Sequence, residues 1–392
     1  MTVTVDRDSS ASAPRSSNFI LGKESPLPLV RTLFIWDFDW TIVNCNSDEY
    51  IPSQFLGDEA IVHKFREGLA KHGPTKWHEI VASIINECID EGKCTRGDVV
   101  EAAESMPFLI GVRGALGDID STNDGDRGDC SKGGDDASQT KLLVGQAIVS
   151  DGNDGFIGAY LKRNGMRNYF SHGIETNAAF WESKIGDFNE NSPSGGKNDN
   201  IADNESNNTT CNERLRIQYH SAKYGGHSCN RCPPNLCKSQ VVNDILSRIV
   251  EIPTQSSRLG DSAMQQPYRP RIVYIGDGSN DACPALHVLN ENDVLLARVG
   301  RKRRDPNSKS GAETDEDAIE GHGKHEFHPE MHYHEVEAHG AVNAFPILST
   351  LRKAEKEGLH PKCRICVWRS GKDLRSHVRR ILDETKRAWV ED

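Results

Sequence analysis

Leu33-Phe34-Ile35-Trp36-Asp37-Phe38-Asp39-Trp40-Thr41 decides the fold class of this chain. Four consecutive apolar residues read as a strand buried on both faces, and the two carboxylates follow where that strand stops. Side chains alternate along a strand, but the chain turns at its end, so Asp37 and Asp39 can face one crevice with a backbone carbonyl between them. That arrangement suits a hard divalent cation and phosphoryl transfer through an aspartate. A metal-free turn is the plain alternative, since Asp is common in turns. A second apolar run, Val273-Tyr274-Ile275, leads into Gly276-Asp277-Gly278-Ser279-Asn280-Asp281 and repeats the pattern. Two acidic clusters at strand ends imply one site at the carboxyl edge of a parallel sheet.

Between these clusters lie further strand-end and helix-start signals. Gln146-Ala147-Ile148-Val149 reads as a strand ending in Ser150-Asp151-Gly152-Asn153, followed by a helix over 155–161. The Ser150 hydroxyl is suited to donate to a phosphate oxygen, while Ser, Asp and Asn are equally good helix caps. Lys238 stands at the start of the helix carrying Val241, Val242, Ile245 and Leu246, where it would face the same edge and neutralise negative charge. An isolated surface lysine is the alternative there. From 58 to 116 the apolar spacing is helical (Ile61, Phe65 and Leu69, then Trp77, Ile80, Val81, Ile84 and Ile85, then Val99 and Ala103 behind a Thr95 cap), which predicts a small all-helical unit inserted after the first strand.

Composition bounds the rest. The chain has 392 residues, of which 36% are hydrophobic, and a net charge of −11. That apolar share is low for a fully packed chain of this size, and the net charge argues against a nucleic-acid binder that works by neutralising phosphates. No apolar run reaches bilayer length. The Ser-rich, Asp-bearing first 17 residues lack the apolar core of a secretory signal and the acid-poor character of a transit peptide, so a cytoplasmic location is expected. Eleven cysteines in such a chain predict reduced thiols or metal ligands over a disulfide framework. Stretches 118–140, 186–212 and 301–323 lack apolar periodicity and read as disordered insertions.

The order Asp-x-Asp, Ser, Lys, Gly-Asp-Gly-x-Asn-Asp resembles the haloacid dehalogenase superfamily of phosphatases. Asp37-Phe-Asp-Trp-Thr-Ile-Val, Asn46-Ser47-Asp48, Ser150-Asp151-Gly-Asn153, Phe170 with Glu175-Thr176-Asn177, Cys232-Pro-Pro-Asn-Leu-Cys237-Lys238 and Gly276-Asp-Gly-Ser-Asn-Asp-Ala-Cys283-Pro284 narrow it. They are similar to the phosphoethanolamine/phosphocholine phosphatase and pyridoxal phosphate phosphatase family, to which plant phosphate-starvation and thiamine monophosphate phosphatases are related. The resemblance runs over roughly residues 31 to 300, and the segment Cys366 to Leu374 is also similar.

The resemblance implies an α/β protein: a Rossmann-like three-layer core with a parallel sheet (31–48 and 141–392), an inserted small helical cap (49–117) and a disordered tail (1–30). It implies Asp37 as nucleophile, Asp39 as acid and then base, and Mg²⁺ held by Asp37, the Asp39 carbonyl and Asp277 with Asp281 in support. Ser150 and Lys238 would take the remaining phosphoryl oxygens, and Asp48, Asp151 and Ser150 would bind substrate. The substrate would be a small-molecule phosphate monoester, with phosphocholine, phosphoethanolamine, pyridoxal phosphate and thiamine monophosphate all open. Neither nucleic acid nor a membrane is expected as a partner, and oligomeric state is open. Trp40 departs from the charged or small residue usual there and would stack on a cationic or ring head group or pack under the cap. A phosphoserine-phosphatase-like or phosphomutase activity uses the same chemistry. A non-catalytic regulatory, metal-binding protein on this fold is disfavoured because Asp37, Asp39, Ser150, Lys238, Asp277 and Asp281 are all competent side chains.

Two clusters remain. His227, Cys229, Cys232 and Cys237 have spacings compatible with structural Zn²⁺, with Cys363-x-x-Cys366 as a further pair, although small buried thiols near a core turn are ordinary. His322, His325, His328, His332, His334 and His339 have no single spacing that fixes a geometry, and read as a solvated segment.

Overall fold

The computed structural model describes residues 27–124, 142–183, 213–249, 268–299 and 345–391. Among them is a seven-stranded sheet in the order β4-β3-β2-β1-β5-β6-β7. Strands β1 (Val30–Trp36), β2 (Leu142–Asn153) and β3 (Ile174–Ser183) run parallel, as do β5 (Arg271–Gly276), β6 (Val294–Arg298) and β7 (Arg364–Trp368) on the other side of β1. Only β4 (Glu213–Gln218), paired with β3, is antiparallel. Strand order therefore reverses direction between β1 and β5. In open α/β sheets the crevice beyond the carboxyl ends at that point is where ligands bind.

The apolar strand runs fill both faces by simple alternation. Phe34, Trp36, Val144, Ile148, Val273, Ile275, Leu296 and Trp368 face one core, and Leu33, Ile35, Ala147, Val149, Ile272, Tyr274, Leu295 and Val367 the other. Helices α7 (Lys238–Arg248), α8 (Ala282–His287) and α9 (Pro346–Lys356) cover the second face. Helices α5 (Ile110–Asp124), α6 (Asp154–Arg163) and α10 (Gly371–Glu391) cover the first. This is the three-layer α/β fold expected from the motifs. No helix among the described residues is long and apolar enough to cross a membrane.

Helices α1 (Ser47–Leu56), α2 (Asp58–His72), α3 (Trp77–Asp90) and α4 (Arg96–Glu104) follow β1. Thr95 caps α4 through a reciprocal box with Asp98, as its position suggests. Helix α3 docks on β4 through one side-chain amide. Asn86 Nδ2 donates to the Leu215 carbonyl at 3.0 Å and its Oδ1 accepts the Leu215 N–H at 2.8 Å. Arg96 adds an ion pair to Glu213 at 3.0 Å.

Two expected boundaries move. Residues 118–124, read as the start of an insertion, are the last turns of α5, which also crosses the expected end of the cap at 117. Burial of Ile119 and an ion-paired Asp118 keep that segment helical: Arg375 Nε and Arg379 Nε each lie 2.7 Å from Asp118 Oδ2. The Arg375 guanidinium, aided by Arg379, holds the Asp118 carboxyl down at about 2. At the other end, Leu27 is buried and bridges Ile249, and Val30 opens β1, so the core begins before residue 31. Most of 118–140, all of 186–212 and 301–323, and the six histidines from His322 to His339 lie outside the described residues.

Helices α5 and α10 cross at glycine. A Cβ on Gly111 would lie 2.1 Å from the Gly371 carbonyl carbon, and one on Gly371 would lie 2.9 Å from the Gly111 Cα. Backbone cannot yield as a flexible side chain can, so Gly111→Ala is expected to lower stability by about 1–3 kcal/mol. Gly117 in the same helix has nothing within 4 Å of that position. Gly117→Ala is expected to leave stability unchanged or raise it by up to about 1 kcal/mol, as for alanine over glycine in a helix. Urea unfolding of the two variants checks the contrast, and equal midpoints would remove the close-crossing account.

Candidate active site

The first acidic cluster is pinned where β1 ends. The Asp37 N–H donates to the Ile275 carbonyl at 2.8 Å, tying this position to the end of β5, and Asp37 Oδ1 accepts the Phe38 N–H at 2.8 Å. The Phe38 carbonyl then accepts N–H groups of Thr41, Ile42 and Val43, a tight turn that forces Trp40 to a φ of +57°. A bulky residue in the left-handed region costs on the order of 1–3 kcal/mol and persists only where its surroundings over-determine it. Here the Trp40 N–H donates to Cys45 O at 3.0 Å and its carbonyl accepts from Arg298. Arg298 also bonds Asn44 Oδ1 at 2.5 Å and lies over the Trp368 ring, 5.1 Å from its centroid. Trp40 itself is half-buried and outside both main hydrophobic clusters.

Asp39 is oriented by the residue that begins α1. Ser47 donates its N–H to Asp39 Oδ1 and its hydroxyl to Oδ2, each at 3.0 Å, while Asn46 caps the helix. Desolvation, then the neighbouring Asp48 carboxylate, push the Asp39 carboxyl well up, which favours a proton-carrying acid. Asp48 is itself buried. Its Oδ2 accepts Trp77 Nε1–H at 2.7 Å, with His78 Nε2 at 3.8 Å, and its Oδ1 has no hydrogen-bond partner. Burial raises its pKa, and His78 and Trp77 oppose that.

Strand β2 continues past Ser150 to Asn153, but its pairing with β3 is irregular between Val149 and Asn153. The strand-end and cap readings of this segment separate within the irregularity. Asn153 caps α6 by accepting the Phe156 N–H at 3.1 Å. Buried Ser150 accepts the Gly152 N–H at 3.1 Å on its Oγ, which leaves its hydroxyl proton to donate. Asp151 is held at both ends. Its carbonyl accepts from His78 Nε2 at 2.8 Å, Asn177 Nδ2 at 2.7 Å and Asn235 Nδ2 at 3.1 Å, and its carboxylate from Asn280 Nδ2 at 2.9 Å.

Lys238 is fully buried, so the surface-lysine alternative fails. Its Nζ lies 2.9 Å from Asp37 Oδ1 and 2.5 Å from Asp281 Oδ1. Burial works to lower its pKa, but Asp281 and Asp37 outweigh that and hold the ammonium well above the ordinary lysine range. Asp281 is saturated: Tyr274 Oη donates to Oδ1 at 2.9 Å, and the N–H groups of Asp277 and Gly278 donate to Oδ2 at 3.0 and 2.8 Å. That approach needs glycine at 276, where a Cβ would sit 2.3 Å from Asp281 Cγ.

The strand ends thus bring together Asp37, Asp39, Ser150, Asp151, Lys238, Asp277 and Asp281, with Asp48 joining from the first helix. Carboxylate oxygens of Asp37, Asp277 and Asp281 all lie within 4.8 Å of one another. Burial, then Asp281, push the Asp37 carboxyl well up despite Lys238. One ammonium among so many buried carboxylates leaves an excess of negative charge, which is the electrostatic fit for a divalent cation. Two site residues escaped the sequence reading, His78 and Tyr274. Each sits in an apolar run where it reads as core, and only the packing of α3 and β5 reveals its polar partner.

Comparison with known proteins places phosphatases among those similar to this chain. A family model described as "Putative Phosphatase" matches residues 198–311. A pyridoxal phosphate phosphatase of Mus musculus is 29% identical over 69% of this chain and 83% of its own length. A thiamine phosphate phosphatase-like protein of Arabidopsis thaliana is 26% identical over 69% of this chain and 82% of its own. A phosphoethanolamine/phosphocholine phosphatase of Gallus gallus is 24% identical over 68% of this chain and 74% of its own. Relatives named as phosphatases over two thirds of the chain, motifs in the expected order and a seven-stranded sheet with the acidic residues at its switch point lead to one conclusion: the chain is a phosphatase, similar to the pyridoxal phosphate and phosphoethanolamine/phosphocholine phosphatases.

Proposed function

We propose that the chain hydrolyses a small, cationic or ring-bearing phosphate monoester with Mg²⁺, through an aspartyl phosphate on Asp37. The observation that carries this reading is the buried Lys238 ammonium held between Asp37 and Asp281 at the switch point of the sheet. A lysine so placed favours the ionised form of a nucleophilic carboxylate against burial and Asp281, and offers a fixed positive charge to a phosphoryl oxygen. Asp37, Asp277 and the Asp39 carbonyl would hold the metal, with Asp281 orienting the shell. Bound there, Mg²⁺ would supply the positive charge that lets a carboxylate approach a phosphate dianion. Helices α1–α4 are read as the cap over this site.

In the first step an Asp37 oxygen bonds to phosphorus as the bond to the leaving alcohol oxygen breaks, and Asp39 gives that oxygen its proton. In the second, a water oxygen attacks phosphorus, Asp39 takes the water proton, and the bond to Asp37 breaks to release phosphate. The raised Asp39 carboxyl supports the acid role, while the two Ser47 hydrogen bonds orient the group and favour the ionised form that acts as base. Ser150 would donate to a phosphoryl oxygen. Asp48 and Asp151 would face the head group, and the unpartnered Asp48 Oδ1 supports an electropositive partner there.

The test is phosphate release with Mg²⁺, with EDTA as control, from phosphocholine, phosphoethanolamine, pyridoxal phosphate, thiamine monophosphate and phosphoserine. Metal-dependent release favouring one cationic or ring substrate is expected, and no release from any would overturn the reading. Transfer to a second acceptor without free phosphate would mark a mutase instead. Asp37→Asn is expected to abolish turnover, since an amide cannot form the acyl phosphate, whereas Asp39→Asn should let phosphorylated protein accumulate in rapid-quench mass spectra. Wild-type rates in Asp37→Asn would sink the nucleophile assignment. Asp48→Ala is expected to raise KM about tenfold for substrates with a cationic head group and far less for an aryl phosphate whose leaving group is uncharged, the size of one lost charge contact. Equal losses on both would remove its head-group role.

A further inference from the structure

Four cysteines converge just behind the catalytic edge. Cys229 and Cys232 come from the loop before α7, Cys237 precedes Lys238 at the N-terminus of α7, and Cys283 lies in the first turn of α8. Their Sγ atoms all lie within 4.8 Å of one another, with Cys229 and Cys283 3.6 Å apart. A tetrahedral zinc with bonds of about 2.3 Å spaces its sulfurs by about 3.8 Å, so the four already enclose a volume of that size. Cys283 is fully buried, Cys232 and Cys237 nearly so, and Cys229 half-buried. Packed among themselves, four neutral thiols are weak donors and weak acceptors, a poor use of a buried position. As thiolates round a metal, each sulfur is satisfied.

The surroundings agree. Cys229-x-x-Cys232 has the short spacing of a zinc knuckle, and the Arg231 N–H points at Cys229 Sγ from 3.5 Å. Ser239 Oγ lies 2.8 Å from Cys283 Sγ, and the start of α7 favours negative charge at Cys237. The ligand set differs from the one expected from sequence. His227 bonds the Pro233 carbonyl at 2.9 Å instead, and its place is taken by Cys283, 46 positions beyond Cys237, which no local spacing announces. Cys363 and Cys366 supply no ligands, because they fall into different hydrophobic clusters at β7.

We propose that Cys229, Cys232, Cys237 and Cys283 bind one structural zinc ion, distinct from the magnesium site, which staples the start of α7 to the start of α8. Cys237 adjoins Lys238 and Cys283 follows Asp281 by two residues, so the zinc fixes the two backbone segments that form the 2.5 Å Lys238–Asp281 pair.

The test is elemental analysis of the full chain purified without added metal. About one zinc per chain is expected, retained after removal of Mg²⁺ and released by a thiol-modifying mercurial. Protein produced in cobalt medium should show the thiolate-to-metal charge-transfer absorption of a tetrahedral thiolate site, a signature carboxylates cannot give. Cys232→Ser and Cys283→Ser should each lose the ion, while the double variant Cys363→Ser/Cys366→Ser and the acidic-site variant Asp277→Asn should keep it. Wild-type protein without zinc, its four thiols free or joined as disulfides, would overturn the proposal whether or not the serine variants fold. Zinc lost in Asp277→Asn but kept in Cys283→Ser would overturn it as well, by placing the ion at the carboxylates.

Discussion

Burying a lysine is costly unless its charge is met, and here it is met twice, by Asp37 and Asp281. The three groups come from the end of β1, the start of α7 and the turn after β5, so one electrostatic contact closes three chain segments around the switch point. Much of the surrounding geometry serves it. Glycine at 276 admits the Asp281 carboxylate, Tyr274 and two backbone N–H groups saturate it, and the Asp37 N–H anchors to Ile275. Removing one member would strand uncompensated charge in a region with almost no water access. The same excess of carboxylates that makes the lysine necessary also leaves room for a divalent cation.

Specificity is built from different parts. In the proposed function the phosphate end of the site would rest on strand termini, while the head-group end would be set by α1 and α3, which bring Asp48, Trp77 and His78 towards Asp151. Phe65 stacks on Trp77 with ring centroids 4.5 Å apart, so the donor to Asp48 is braced from α2. On that reading, a chemistry fixed by the sheet and a selectivity fixed by inserted helices could vary independently.

Much of this was legible in the chain itself. Buried strands ending in carboxylates declare themselves by apolar runs, and the period-two split of Phe34 and Trp36 from Leu33 and Ile35 is what the fold displays. Lys238, ambiguous as a lone lysine, was singled out by its motif, and the structure buries it between Asp37 and Asp281. What escaped were groups whose role depends on contacts distant in sequence. His78 reaches Asp151 because the start of α3 meets the end of β2, Cys283 joins Cys229 because α8 meets the loop before α7, and the end of α5 stays helical because Ile119 is buried and Arg375 and Arg379 reach Asp118. Local composition there pointed the other way, since Asp118, Ser121, Thr122 and Asp124 read as loop.

The amide of Asn86 does for β4 what a neighbouring strand would do. Near the buried middle of β4, an edge strand of the sheet among the described residues, it occupies both the donor and the acceptor of Leu215. An open edge with free N–H and C=O groups is a template on which another chain can pair, and α3 removes that invitation with a single side chain. Docking of the inserted helices therefore blunts the β4 edge as a template at Leu215. Any excursion that lifted α3 far enough to break this pair would open the sheet to aggregation.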